Sequence, residues 1–246
     1  MLNEQTVMKL ESMKLYGMAK TFREMMGNAK SSDLSYTELV GLLVDSEKNY
    51  RENQRLERLL NNAKLKQQSC LEDFDYKSTR GLNKQVILEL SGGEWINQHQ
   101  NILISGATGV GKTYIACALG NCACRLGYSV YYVRAPILWT NMYQSRSDGC
   151  YLRYLNKLSK VQVLIIDDLG LSPMNGQERK DFLEIVEENT FKSSMIIASQ
   201  LPVKEWYQNI GDPTIADAIC DRLLHNSYKI ELKGESMRKK KENNNK

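Results

Sequence analysis

Asn101-Ile-Leu-Ile-Ser-Gly-Ala-Thr-Gly-Val-Gly-Lys-Thr113 is the stretch that decides the fold of this chain. Residues 101–105 form a short apolar run that predicts a buried strand, and the pattern after Lys112 predicts a helix to about Arg125, ended by Gly127. The loop between them matches the phosphate-binding pattern GxxxxGK[ST] at every fixed position. A strand, this loop and a helix in that order predict an ATP site at the beginning of the helix.

Each fixed residue of the loop has a chemical reason. Gly106, Gly109 and Gly111 allow backbone angles that side chains forbid, so that successive N–H groups and the helix N-terminus can face phosphate oxygens. Lys112 is predicted to place its positive charge against the β- and γ-phosphates, and the Thr113 hydroxyl is predicted to bind Mg²⁺. The predicted nucleotide-binding residues are Gly106, Ala107, Thr108, Gly109, Val110, Gly111, Lys112 and Thr113.

Two adjacent acids follow the apolar run at 161–166. A buried parallel strand that ends in a carboxylate places that carboxylate at the carboxyl edge of the sheet, beside the phosphate loop. Asp167 is predicted to hold the metal through its water shell, and Asp168 to orient or deprotonate the water that attacks ATP. The alternative for Asp168 is a supporting contact or a loop cap.

Further strands at 129–133, 194–198 and 228–232 alternate with helical segments, and the last of them has the alternation of an edge strand. This order predicts a five-stranded parallel sheet covered by helices. The fourth strand ends in Ser199 and Gln200, either of which is placed to sense the γ-phosphate, although a plain turn before Pro202 is the alternative. Together these features indicate the AAA+ division of P-loop ATPases. The guanine-reading motif Asn-Lys-x-Asp does not occur, which disfavours a GTPase.

Residues 1–66 have apolar residues at helical spacing and a polar break at 27–35, which predicts a small helical N-terminal domain. We divide the rest into a linker at 67–81, an ATPase domain at 82–237 and a basic tail at 238–246. Residues 229–246 hold seven Lys or Arg and three Asp or Glu, which accounts for the whole net charge of +4. Such a tail either attracts nucleic acid or keeps the chain in solution.

A basic helix in the N-terminal domain is the predicted DNA-binding surface. Its first three arginines are four and three residues apart and therefore share one face, which suits sequence-independent contacts to phosphates. A solvated face with local ion pairs is the alternative. The predicted DNA-binding residues are Arg51, Arg55, Arg58, Lys64 and Lys66.

The composition and the local sequence patterns indicate the cellular compartment in which we expect the protein. The six cysteines form no CxxC pair, the N-terminus has no signal-peptide pattern, and the aliphatic runs are far shorter than the ~20 residues of a membrane helix. We expect a cytoplasmic protein with reduced thiols and no membrane contact.

Six segments together resemble one family. They are Gly106–Thr113, Leu164–Gly170, Ser199–Pro202, Asp212–Ile219, Asp221–Leu223 and Leu232–Arg238. In these segments the chain resembles the IstB family, the ATP-binding helper proteins of insertion-sequence transposition, which are related to the helicase loader DnaC. The resemblance runs over nearly the whole chain, and the stretch 199–238 is its specific part.

The resemblance implies a protein that assembles as a homo-oligomer on double-stranded DNA with ATP and directs a partner transposase. It also implies an active site between subunits. Arg222 then resembles an arginine finger that acts on a neighbour's ATP, with an ion pair to Asp217 or Asp221 as the alternative. Arg238 resembles a second-sensor arginine at the nucleotide, or it contacts DNA.

Few residues follow the fifth strand, so we expect no C-terminal lid domain of the kind typical of AAA+ proteins. Phe74 and Tyr76 in the linker are then candidates to pack near the adenine, with core packing as the alternative. The runner-up function is a DnaC-like replicative helicase loader. A small-molecule kinase is a third possibility, but it would lack an acceptor pocket and leave the Asp-Arg-Leu segment without a purpose.

Overall fold

The computed structural model describes residues 2–27, 35–74 and 81–237. The chain divides into two compact units, Met1–Arg58 and Leu59–Lys246. The division falls inside one helix, whereas the sequence interpretation ended the N-terminal domain at residue 66. Tyr76, Arg238 and the basic tail lie outside the described residues.

The first unit is helical. It consists of α1 (Leu2–Ser12), α2 (Tyr16–Gly27) and most of α3 (Tyr36–Ala63). Gly17 lets α2 approach α3 closely, because a Cβ there would lie 2.5 Å from the Ser46 carbonyl oxygen. The Glu47 carboxylate accepts hydrogen bonds from the Gly17 and Met18 N–H groups, at 2.7 and 3.2 Å. A side chain of α3 thus satisfies the free N–H groups at the beginning of α2.

The second unit holds a sheet and the helices around it. Its strands are β1 (Asn101–Gly106), β2 (Val130–Arg134), β3 (Val163–Leu169), β4 (Ser194–Ser199) and β5 (Ser227–Leu232). Its α-helices are α4 (Lys84–Ser91), α5 (Glu94–Asn97), α6 (Lys112–Arg125), α7 (Ala135–Ser147), α8 (Tyr151–Ser159), α9 (Gly176–Asn189), α10 (Trp206–Ile210) and α11 (Pro213–Leu224). Short 3-10 turns lie at Leu71–Asp73 and Val203–Glu205.

All five strands pair in parallel, in the order β2-β3-β4-β1-β5. The predicted five-stranded parallel sheet is confirmed, and β5 is an edge strand as its alternation predicted. Strand β4 lies between β1, which leads into the phosphate loop, and β3, which carries the two acids. The carboxyl ends of these three strands therefore meet at one edge of the sheet.

The central strands are buried on both faces, which explains their continuous apolar runs. Residues 102–104 of β1 and 163–166 of β3 are at most 1% exposed. Helix α6 ends as predicted, since Gly127 has a φ of 90° and donates its N–H to the Cys124 carbonyl at 3.0 Å. Within residues 2–27, 35–74 and 81–237, no helix has the length and apolar character needed to cross a bilayer.

Helix α3 ends earlier than the sequence pattern predicted. It stops at Ala63, and Lys64 adopts a left-handed backbone with a φ of 52°. The expectation that one helix continues through Lys64 and Lys66 is therefore wrong. Ala63 is fully buried, and the chain beyond it turns to pack against α6, where the Ser69 hydroxyl donates to the Tyr114 carbonyl at 3.2 Å. Tertiary packing outweighs helical propensity here.

Candidate active site

The phosphate loop has the backbone conformation that its glycines permit. Gly106, Gly109 and Gly111 have φ values of 146°, 85° and 108°. These angles lie in the region that L side chains avoid, so the glycine pattern is a steric requirement of this loop. Gly111 directly precedes α6, so the loop runs into the helix N-terminus.

A segment from the far end of the described chain lies on the loop. The Met237 N–H donates to the Gly109 carbonyl at 2.9 Å, and a Cβ at Gly109 would collide with the Ser236 side chain. Gly109 is thus required by this contact as well as by its φ. This contact was not predicted from the sequence, because nothing in the local pattern of Ser236 or Met237 points to a partner so distant in sequence.

Lys112 folds back onto its own loop. Its Nζ donates to the carbonyl oxygens of Gly106 and Ala107, at 2.7 and 2.9 Å. Burial lowers the pKa of the Lys112 amine, and the charges of Asp167 and Asp168 oppose that shift. Two carbonyl groups of the phosphate loop therefore hold the Lys112 amine against the loop.

Asp167 is fully buried, and its carboxylate accepts three hydrogen bonds. Its Oδ2 accepts from the Thr113 hydroxyl and from the Tyr132 hydroxyl, each at 2.7 Å, and its Oδ1 accepts from the Asp168 N–H at 2.9 Å. Burial, followed by the bond to Asp167, raises the pKa of the Tyr132 hydroxyl far above its usual range. Tyr132 therefore keeps its proton at neutral pH and donates a hydrogen bond to Asp167. From the sequence, Tyr132 is predicted only to lie in the second strand, and its contact with Asp167 was not predicted.

Asp168 is turned by an irregularity in β3. The pairing of β3 with β4 shifts register between Ile166 and Leu169, and Asp168 has a φ of 60°. Successive residues of a regular strand point to opposite faces, and such a bulge re-aims one of them. The Asp168 carboxylate accepts a hydrogen bond from Arg134 Nε at 2.7 Å, and this bond raises the pKa of Arg134. This contact of Arg134, which lies at the end of β2, was also not predicted from the sequence.

Ser199 and Gln200 differ in what they touch. The buried Ser199 hydroxyl donates to the Leu169 carbonyl at 2.9 Å and accepts from the Leu201 N–H at 3.1 Å. Gln200 instead accepts a hydrogen bond from the Thr108 hydroxyl of the phosphate loop at 2.9 Å. Gln200 therefore reaches the loop, whereas the Ser199 hydroxyl joins the ends of two strands.

Arg222 pairs with a residue that the sequence did not indicate. Its guanidinium donates to the Ala218 carbonyl at 2.8 Å and to Glu187 Oε1 at 3.0 Å. The expected alternative, an ion pair with Asp217 or Asp221, is wrong. Asp217 accepts from the Tyr207 hydroxyl, and Asp221 lies 3.2 Å from His225 Nε2. Helix α9 supplies the partner because it packs beside α11.

Arg222 stands at the opposite edge of the sheet from the phosphate loop. It lines a cavity of about 500 Å³ together with Asn101 and Asn226, which lie at the amino ends of β1 and β5. In a parallel sheet the amino ends and the carboxyl ends form opposite edges, so Arg222 does not belong to the group around Lys112.

The residues expected to bind DNA are exposed and partly paired. Arg51, Arg55 and Arg58 lie on the exposed surface of α3. Arg51 forms an ion pair with Glu47 at 2.7 Å, and Arg58 donates to the Gln54 carbonyl at 3.3 Å. Lys64 and Lys66 are also exposed but follow the helix.

The residues around Thr113 fit a magnesium ion. A hydroxyl and a carboxylate in contact are hard oxygen donors, and Mg²⁺ usually takes one or two carboxylates, substrate phosphates and water. The described part of the chain holds no cluster of three His, Cys, Asp or Glu, which a site made entirely of protein ligands would need.

Of the two linker aromatics, Phe74 packs on Tyr114, with ring centroids 5.5 Å apart and planes at 47°.

The chain matches the family described as IstB-like ATP binding protein over residues 8–245. It is 48% identical over 239 residues to the insertion sequence ATP-binding protein y4pL of Sinorhizobium fredii, and the alignment covers 97% of this chain and 98% of that protein. Its structure is similar to DnaI, with a TM-score of 0.57, 22% identity and coverage of 72% and 94% of the two chains. The DnaC helicase loader gives a TM-score of 0.55, 17% identity and coverage of 72% and 99%.

At these identities the structural likeness concerns the fold alone, and it confirms the predicted AAA+ arrangement of sheet and helices. The family match over residues 8–245 spans residues of both units, and the phosphate loop and the two acids lie within that range. The chain therefore belongs to the IstB-like ATP binding protein family.

Proposed function

We propose that this chain hydrolyses ATP with bound Mg²⁺ and, as an oligomer on duplex DNA, regulates a partner transposase. The observation that carries the enzymatic part is the meeting of Lys112, Thr113, Asp167 and Asp168 at one sheet edge. The insertion-sequence name of the relative and the family resemblance support the transposase part.

Each residue has a role that its surroundings support. Lys112 exchanges its loop carbonyl partners for phosphate oxygens of ATP. Thr113 would bind Mg²⁺ directly and Asp167 would hold it through its water shell, and the ion would neutralise phosphate charge. Asp168 orients or deprotonates the attacking water, while Arg134 holds one oxygen of its carboxylate. Gln200, through its bond to Thr108, senses the γ-phosphate. Arg238 contacts either the nucleotide or DNA.

Asp168→Asn is expected to bind ATP normally and to lose about 10²-fold or more in turnover, because an amide cannot take a proton from water. The variant should also remain longer on DNA. Steady-state phosphate release and binding of a fluorescent ATP analogue separate the two effects. The neighbouring variant Asp167→Asn should instead weaken Mg²⁺-dependent binding. Unchanged turnover in Asp168→Asn would reduce Asp168 to a structural partner of Arg134.

Replacing Arg51, Arg55 and Arg58 together by alanine is expected to weaken binding to every duplex sequence alike. The fall of log affinity with log salt should become less steep by about 0.9 for each phosphate contact that is lost. Fluorescence anisotropy with two unrelated duplexes over a range of salt concentrations measures both quantities. Deleting residues 239–246 should have only a slight effect.

A matched control lies on α8 and at its C-cap, where Arg153, Lys157 and Lys160 are exposed with the same spacing of four and three. Replacing these three changes the net charge equally. If this control or the tail deletion loses more DNA affinity than the α3 variant, α3 is not the principal DNA-binding surface. Helix α3 would then have another task, such as contact with a neighbouring subunit or the transposase.

The helicase-loader alternative is favoured by one observation, the likeness of the fold to the DnaC helicase loader. The two functions differ in the form of DNA they need. Affinity for duplex and for single-stranded DNA, each with and without ATP, discriminates them. Preference for duplex with ATP supports the transposition role, and preference for single strands supports the loader.

A further inference from the structure

Strand β2 places a tyrosine hydroxyl at the buried acid of β3. Tyr132 pairs in register with Ile165, and its side chain reaches Asp167, two residues further along β3. The tyrosine is 7% exposed and the acid fully buried. The bond of 2.7 Å is thus shielded from water, which makes it stronger than the same bond at the surface.

The Tyr132 hydroxyl does more than pack in the core. A buried hydroxyl is favourable only with a partner, and a buried carboxylate needs donors on both oxygens. Tyr132 and Thr113 share Oδ2, while the Asp168 N–H serves Oδ1. Of the two side-chain donors on Oδ2, Thr113 is the one whose oxygen is proposed to bind the metal. Tyr132 is the donor that has no other task at the site.

We propose that Tyr132 is a positioning residue that holds the Asp167 carboxylate in its metal-binding orientation before nucleotide and Mg²⁺ arrive. The proposal rests on the proposed function, in which Thr113 and Asp167 hold Mg²⁺. The Thr113 hydroxyl would also serve the metal, whereas the Tyr132 hydroxyl would only hold Oδ2 in place. Partners that orient a metal ligand in this way commonly change metal affinity or activity by 10–100-fold when they are removed.

The test is Tyr132→Phe, which removes one oxygen and keeps the ring. Its matched control is Tyr131→Phe, since Tyr131 is the preceding residue of β2, is also 7% exposed, and packs in the core beside the Lys157 side chain. Binding of a fluorescent ATP analogue to the full chain is measured in EDTA and across a Mg²⁺ titration. The melting temperature is measured with the analogue, with and without Mg²⁺.

We expect Tyr132→Phe to raise the Mg²⁺ concentration for half-maximal tightening of binding by about tenfold, with unchanged binding in EDTA. The extra rise in melting temperature that Mg²⁺ gives should shrink accordingly. Tyr131→Phe should match wild type in both. In Asp167→Asn, adding Tyr132→Phe should change little, because the tyrosine acts through the acid.

Wild-type Mg²⁺ dependence in Tyr132→Phe overturns the proposal, and so does a full additional loss in the double variant. A lower melting temperature with unchanged Mg²⁺ dependence likewise overturns it and makes Tyr132 a packing residue. Failure of the proposed function looks different, because wild type itself would then show no tightening of nucleotide binding by Mg²⁺.

Discussion

Lys112→Ala is expected to abolish ATP binding and to leave the fold intact. The amine now bonds two carbonyl groups of its own loop, and in the proposed complex it bonds phosphate oxygens instead. A hydrogen bond that involves a charged group contributes about 1.5–3 kcal/mol, and the amine would form one to each of two phosphates, so losing this cation should weaken ATP binding by about 10²-fold or more. Isothermal titration calorimetry measures the loss.

The fold should survive because Lys112 stands at the first position of α6, where alanine is a good helix former, and it has no apolar core role. Circular dichroism and thermal melting check this expectation. Lys180→Ala, a change at an exposed lysine on α9, is the matched control and should bind ATP like wild type. If Lys112→Ala binds ATP as tightly as wild type, the assignment of this loop to the nucleotide is wrong.

Arg222→Ala is expected to abolish hydrolysis, and activity should return when this variant is mixed with Lys112→Ala. In the proposed oligomer the guanidinium neutralises charge on the phosphoryl group bound by a neighbour, an effect worth about 10³–10⁵-fold in turnover. The position of Arg222, at the sheet edge opposite its own phosphate loop, motivates the trans arrangement. A mixed assembly can pair an intact loop with an intact finger, although each variant lacks one of them.

Phosphate release is measured across mixing ratios, with co-assembly checked by cross-linking. Wild-type turnover should also rise steeply with protein concentration or added duplex DNA. Glu187→Gln is a useful companion, because it weakens the ion pair of Arg222 while the guanidinium remains. If co-assembled mixtures recover no activity at any ratio, Arg222 serves its own subunit or only the packing of α11 on α9.

The amino-acid sequence by itself determined the class of fold and indicated the centre of the candidate site. The strands β1 to β4 contain short, mostly apolar runs, β5 alternates between polar and apolar residues, and helical segments separate them. This local pattern needs no knowledge of distant contacts. The phosphate loop is likewise local, since its glycines, Lys112 and Thr113 are neighbours in the chain. Asp167 followed from the rule that parallel strands end at one edge.

The tertiary structure alone decided which partners each of these residues has. Strand order places β2 beside β3, and only this brings Tyr132 to Asp167 and Arg134 to Asp168. The bulge that turns Asp168 arises from the pairing of β3 with β4. The early end of α3 and the partner of Arg222 follow from packing between elements. Such contacts join residues far apart in sequence, so periodicity, which reports the surroundings of one element, cannot identify the partner.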